Sequence, residues 1–92
     1  MQKERFIDYL SSEKRFSIHT VTSYSNDINQ FFLFLSEEYQ IDSDISEVHF
    51  QIVRSWIASL LELGLSPRSV TRKISTLKTY FKFLIRQGVI HE

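Results

Sequence analysis

The chain has 92 residues, with eleven Lys and Arg balancing eleven Asp and Glu, no Cys, and a hydrophobic content of 42% that includes eight Phe, four Tyr and one Trp. This length supports one modest core and is too short for a typical two-domain enzyme, and the apolar content argues against disorder. The absence of cysteine excludes disulfide frameworks and thiolate metal sites; with no apolar run near the roughly 18 residues of a membrane span and no signal-peptide core in MQKERFIDYL, a cytoplasmic protein is expected, with no membrane partner.

Helical periodicity runs through the chain and strand alternation is nearly absent. A short first helix is predicted over about Lys3 to Lys14, with Phe6, Ile7 and Leu10 turned inward. The second starts at Ser17, a good N-cap, and runs to about Tyr39. Val21, Tyr24, Ile28, Phe31, Phe32, Leu35 and Tyr39 recur there at spacings of three and four and form one apolar stripe. Leu33 and Phe34 fall off that stripe and are candidates for contact with a neighbouring protomer or a further domain.

The polar stretch QIDSDISEV is the one substantial loop, with Ile41, Ile45 and Val48 expected to pack back onto the domain. Its Asp42, Asp44 and Glu47 lack the glycine turn and terminal Glu of a calcium loop, and are turn formers. A third helix is predicted near Phe50 to Leu63, with Val53, Trp56, Ile57, Leu60 and Leu61 apolar and Gly64 as a C-cap. The fourth opens on Ser66-Pro67, an N-cap followed by proline at the first helical position, and ends before Gly88. Four helices with short connections make an all-α, compact four-helix bundle, read as a single domain over residues 1–92.

The fourth helix carries the strongest functional signal. At about 100° per residue, Val70, Ile74, Leu77, Phe81, Leu84 and Ile85 fall within one arc and are assigned to the core. Arg68, Arg72, Ser75, Thr79, Lys82 and Arg86 fall opposite, flanked by Thr71, Thr76 and Lys78. From Gly64 to Gly88 there are six basic residues and no acidic one, in a chain whose formal net charge is zero. Most charge runs on helices are solvated faces, but such faces usually interleave both signs, because Glu and Lys at i and i+4 support the helix. A row of cations mixed with Ser and Thr suits a phosphate backbone, since the charges displace counterions and the hydroxyls can donate to phosphate oxygens. The outer face of the second helix adds His19, Thr22, Ser23, Asn26 and Gln30, with Asp27 the one acidic residue nearby. Asn and Gln can read base edges, and the free N–H groups at a helix start favour an anion.

The stretches SIHTVTSYSNDINQFFLFL and VHFQIVRSWIASLLELGLSPRSVTRKISTLKTYFKFLIRQG resemble the N-terminal core-binding, or SAM-like, domain of tyrosine recombinases and phage integrases. The resemblance rests on Thr20 to Tyr24, on Phe31-Phe32 with Phe34-Leu35, on Leu65-Ser66-Pro67-Arg68-Ser69-Val70, on Arg72-Lys73-Ile74-Ser75 and on Tyr80-Phe81-Lys82-Phe83-Leu84, and covers about Phe6 to Gly88. It implies a domain that grips one side of double-stranded DNA at a recombination site through its second and fourth helices. A separate C-terminal catalytic domain, absent from this chain, grips the other side, and further recombinase protomers bind the same DNA. The positions it assigns to DNA are Thr20, Thr22, Ser23 and Asn26 on the second helix, and Ser66, Arg68, Ser69, Arg72, Ser75, Thr76 and Thr79 on the fourth, with Lys73, Lys78 and Lys82 at the margins.

The family's catalytic set, which includes an His-x-x-Arg element and a nucleophilic tyrosine, has no counterpart here. Neither His19 nor His49 is followed by Arg three residues later, and Tyr24 and Tyr39 are assigned to core and boundary packing. Three isolated His residues make no metal site, no Gly-rich phosphate loop exists, and no cofactor is expected. The domain is therefore expected to be non-catalytic by itself and to be part of a longer recombinase or integrase. The competing reading is a helical protein-interaction module whose basic face docks an acidic partner.

Overall fold

The structure, a computed structural model, describes residues 2–41 and 48–90. Four helices make up the fold among these residues: α1 (Gln2–Ser12), α2 (Ile18–Tyr39), α3 (Phe50–Glu62) and α4 (Pro67–Arg86). Their limits follow from local chemistry. The Ser17 and Ser66 hydroxyl oxygens accept the backbone N–H groups of Thr20 and Ser69, each at 3.2 Å, so both long helices begin on a satisfied serine cap. Gly64 at φ +90 closes α3, with the Leu65 N–H returning to the Leu60 carbonyl at 3.2 Å. α1 ends at Ser12 rather than Lys14 because Arg15 turns left-handed at φ 54 and the Phe16 N–H reaches back to the Leu10 carbonyl at 3.0 Å.

α2 and α4 form the central pair; α1 packs on both and α3 packs on α4. Phe6 and Leu10 of α1, Val21, Ile28, Phe31 and Leu35 of α2, Ile52, Trp56 and Leu60 of α3, and Val70, Leu77, Tyr80, Phe83 and Leu84 of α4 make the core. Aromatic contacts join the layers: the Phe6 ring meets Tyr80 edge-on at 4.9 Å and Phe31 meets Trp56 edge-on at 5.1 Å. In the connection before α3, Ile41 is buried and Val48 half-buried as expected, while Asp42, Asp44, Ile45 and Glu47 lie outside the described residues.

The expected core arc of α4 is corrected in phase. Lys73, Thr76, Tyr80 and Phe83 are buried, whereas Ile74, Phe81 and Ile85 are only half-buried. With Val53 and Ile57 of α3 these three line an open apolar groove of about 620 Å³ between the two helices. On α3, Leu61 is likewise exposed while Ile52 takes the core position. α1 and α2 approach α4 from one side and α3 from another, so the apolar arc is wider than one face and its buried half is set by α2.

That choice of side is set by a buried polar cluster. Asp27 of α2 and Lys73 and Thr76 of α4 are 1%, 4% and 0% exposed. The Lys73 ammonium donates to Asp27 Oδ1 at 2.8 Å and to Gln30 Oε1 at 2.6 Å, and the Thr76 hydroxyl donates to Asp27 Oδ2 at 2.9 Å. The Arg72 guanidinium completes the set, its Nη2 donating to Asp27 Oδ1 at 2.9 Å.

Asp27→Ala leaves the Lys73 ammonium buried without its counter-charge and should cost about 3–5 kcal/mol, a fall of roughly 12 °C or more in melting temperature by circular dichroism. The paired Asp27→Leu, Lys73→Met replacement removes both charges together and should remain within about 2 kcal/mol of the parent. Burial, reinforced by the negative charge of Glu4, pushes the Tyr80 phenol up from 10.0 to about 12. The proton is then held longer in the folded chain than in the unfolded one, so the stability Tyr80 contributes is complete below pH 10 and is lost as pH rises towards about 12. Absorbance titration should show a tyrosinate component near pH 12 that Tyr80→Phe removes.

Candidate nucleic-acid interface

The outer faces of α2 and α4 lie side by side, because the Asp27 cluster closes the seam between them. On the α2 side Thr22, Asn26 and Gln30 are exposed and Thr20 and Ser23 half-buried; on the α4 side Ser66, Arg68, Thr71, Arg72, Ser75, Lys78 and Lys82 are exposed and Ser69 and Thr79 half-buried. The structure thus brings twelve of the fourteen positions assigned to DNA onto this surface and removes two. Lys73 and Thr76 face inward, where their polar atoms are consumed by Asp27, so neither presents a group to a ligand.

Several hydroxyls of the face are engaged inside the protein. Those of Thr22 and Thr79 donate to the carbonyls one turn back, Ile18 at 2.8 Å and Ser75 at 3.0 Å. Ser66 caps α4 and its hydroxyl also donates to that of Ser69 at 3.2 Å, while Ser17 and Thr20 share a hydroxyl contact of 3.0 Å at the start of α2. The Ser17, Thr20 and Ser66 groups hold the helix starts in place, while the hydroxyls of Ser23, Thr71 and Ser75 make no hydrogen bond among the described residues.

The cations divide into three kinds. Arg68, Lys78 and Lys82 make no hydrogen bond or ion pair among the described residues and project to solvent. Arg86 lies over the Tyr9 ring at 5.5 Å and donates to its hydroxyl at 3.0 Å, so it is spent largely on α1. Arg72 sits at the seam, its side chain 51% exposed, with Nη2 on Asp27 Oδ1. No acidic residue occurs anywhere on α4, and the one acid of this face in α2 is the buried Asp27. The surface is therefore a strip of positive charge beside the neutral amides of Asn26 and Gln30.

Asp27 and Gln30 are the residues whose roles the periodicity reading missed. A signal was present: Lys73 lies three residues after Val70 and four before Leu77, inside the apolar arc, and a lysine there needs a buried acceptor. Asp27, four residues before Phe31 at the edge of the α2 stripe, is the acid that answers it.

The four tyrosines all serve packing. Tyr80 is buried, Tyr24 packs edge-on against Phe16 at 5.5 Å, Tyr9 stacks in the Phe83 cluster at 5.0 Å, and the Tyr39 hydroxyl donates to Ser55 Oγ at 3.0 Å. Leu33 is exposed, as expected from its position off the stripe, but Phe34 is half-buried against Tyr39. Among the described residues no group of three His, Cys, Asp or Glu side chains could hold a metal ion, and no helix is long and apolar enough to cross a membrane.

The family described as "Phage integrase, N-terminal SAM-like domain" matches residues 4–88. A protein named tyrosine recombinase XerC from Listeria innocua is 41% identical over 90 residues, covering 98% of this chain and 29% of its own length. Proteins of the same name from Oceanobacillus iheyensis and Chlorobaculum tepidum are 44% identical over 87 residues and 36% identical over 91, covering 28% and 26% of their lengths. The chain thus spans less than a third of each of these relatives. No solved structure matches it. With nearly its whole length matched, and with the four helices that the periodicity predicted, the chain belongs to the family of phage integrase N-terminal SAM-like domains.

Proposed function

We propose that this domain binds double-stranded DNA as the N-terminal clamp of a site-specific tyrosine recombinase, with cleavage carried out by a separate C-terminal catalytic domain and with other protomers bound to the same site in the cytoplasm. The observation that carries this reading is the all-cationic outer face of α4 set against the amide-bearing face of α2 in a chain of zero net charge. An acidic protein partner could be attracted to the same charge. A strip of separated point charges along one 20-residue helix, however, matches the regular spacing of phosphates better than the scattered carboxylates of a protein surface. The roles divide by chemistry. Arg68, Arg72, Lys78 and Lys82 neutralise phosphates, and Asn26, whose amide is exposed beside them, reaches base edges.

Fluorescence anisotropy with duplex DNA across a salt series tests the phosphate role. If three to five cations are engaged, log affinity falls against log salt with a slope near −0.9 per contact, and binding of the isolated domain is roughly micromolar to 100 micromolar. Arg68→Glu and Lys82→Glu, which touch nothing in the core, should each flatten the slope by about one unit and leave the circular dichroism unchanged. Salt-independent binding would return this strip to ordinary solvated surface.

The specificity role has its own readout. Asn26→Ala should reduce preference for the cognate site more than it reduces binding to random duplex, by about 1–3 kcal/mol of discrimination. Equal losses on both duplexes would show that Asn26 reads nothing.

A further inference from the structure

The seam arginine is held differently from every other cation of the face. Asp27 Oδ1 accepts from two cations at once, Lys73 Nζ at 2.8 Å and Arg72 Nη2 at 2.9 Å, while Oδ2 accepts from the Thr76 hydroxyl at 2.9 Å. Only one of those cations is sealed inside: the Lys73 side chain is 5% exposed and that of Arg72 is 51%. The carboxylate and the two cations sum to one positive charge, and the buried ammonium, with little access to water, takes up the carboxylate's charge most strongly. The charge left over is on the guanidinium. A guanidinium has five N–H donors in a rigid plane, so one edge can lie on Asp27 while the remaining donors face solvent.

We infer that Asp27 and Lys73 form a buried mount for Arg72, which fixes an electrostatically uncompensated guanidinium at the seam between α2 and α4 to receive a DNA phosphate. Asp27 and Lys73 are positioning residues that never touch the ligand. This inference rests on the proposed DNA-binding role and adds to it a division among the cations. Arg68, Lys78 and Lys82 are flexible point charges that must be ordered on binding, whereas Arg72 is ordered beforehand and loses less side-chain entropy when a phosphate arrives. It also reverses the usual sign of an acid at a phosphate-binding face. Removing a carboxylate there ordinarily tightens binding, but without Asp27 the arginine loses its orientation.

A charge-matched comparison separates geometry from charge. The Asp27→Leu, Lys73→Met pair leaves the net charge unchanged and retains Arg72 and the Thr76 bond to the Arg72 carbonyl at 3.2 Å. It should bind a random-sequence DNA duplex roughly tenfold more weakly than the parent while keeping the parent's fold by circular dichroism. Arg72→Gln should cost the parent a similar amount and the paired variant little, because both changes remove the same contact. As a second route that keeps an ion pair in the seam, Lys73→Met alone leaves Asp27 to Arg72, neutralises the guanidinium and should flatten the slope although Lys73 itself is buried. In the free parent the Arg72 Nε–H resonance should be ordered on the nanosecond timescale while that of Arg68 is not.

Parent-like affinity of the paired variant, with Arg72→Gln still weakening it, would show that Arg72 works without its mount and would overturn the inference while leaving the DNA-binding role standing. Parent-like binding by Lys73→Met would do the same. If the parent itself shows no salt-sensitive binding to duplex, the DNA-binding role fails and the mount fails with it.

Discussion

The carboxylate of Asp27 is the constraint around which this small domain is arranged. A buried carboxylate is tolerable only when its lone pairs are filled, and here two cations and a hydroxyl, all from α4, converge on it. Sliding α4 by one residue along its axis or rotating it by one position would strand both the carboxylate and the Lys73 ammonium. Apolar contacts alone would accept several such shifts, since Leu, Ile and Phe are interchangeable in kind along the helix. The ion cluster therefore selects one register of the central helix pair, and the apolar core fills in around it. Because the selected register also decides which residues of α2 and α4 point outwards, the composition of the proposed DNA-binding face is a consequence of an interior interaction.

That link explains why a chain with no net charge can still present a strongly one-signed surface. Among the described residues Glu4 and Asp8 lie on α1, Glu13 just after it, Glu37 and Glu38 at the end of α2 and Glu62 at the end of α3, and the single acid near the seam, Asp27, is turned inward and spent on Lys73. α4 then divides into three strips. One is buried against α1 and α2, one carries cations to solvent, and one, made of Ile74, Phe81 and Ile85, faces α3 across the open groove. Lys78 stands where the second and third strips meet, at the rim of the groove.

The helices were legible in the sequence because their ends are written in local chemistry. Ser17 and Ser66-Pro67 start α2 and α4, and Gly64 stops α3, through interactions that involve only neighbouring residues. The phase of α4 was not legible in the same way. Its apolar and aromatic residues span an arc wide enough to serve two neighbours, and periodicity weighs Ile74 and Phe81 no less than Tyr80 and Phe83. The deciding partners, Asp27 with Lys73 and Thr76, are 46 and 49 residues apart in the chain. The resemblance sets Lys73 at the margin of the DNA-facing positions and periodicity sets Asp27 beside the outer face of α2, yet the pairing of the two buries both. The surviving candidate positions, such as Asn26, Arg68, Ser75 and Lys82, are those for which exposure follows from any reasonable packing of an amphipathic helix.

The hydroxyls refine the picture of how such a face would meet a phosphate backbone. Ser and Thr on a basic helix suggest donors waiting for phosphate oxygens, yet the hydroxyls of Thr22 and Thr79 already donate to their own helix carbonyls, and that of Ser66 is tied to Ser69. Redirecting one of these protons to a ligand exchanges one hydrogen bond for another, a gain well below the full value of a new bond. Ammonium and guanidinium groups incur no such exchange, because Arg68, Lys78 and Lys82 have only water to give up among the described residues. The proposed affinity therefore resides first in the cations and is electrostatic in character, with the unbonded hydroxyls of Ser23, Thr71 and Ser75 as further donors, while Ser17, Thr20 and Ser66 fix the helix starts from which those cations project. The small side chains contribute a second, steric effect. Ser and Thr beside Arg68, Arg72 and Lys82 leave the proposed face low between the cations, so that a phosphate would meet their charged heads without a bulky side chain in the way.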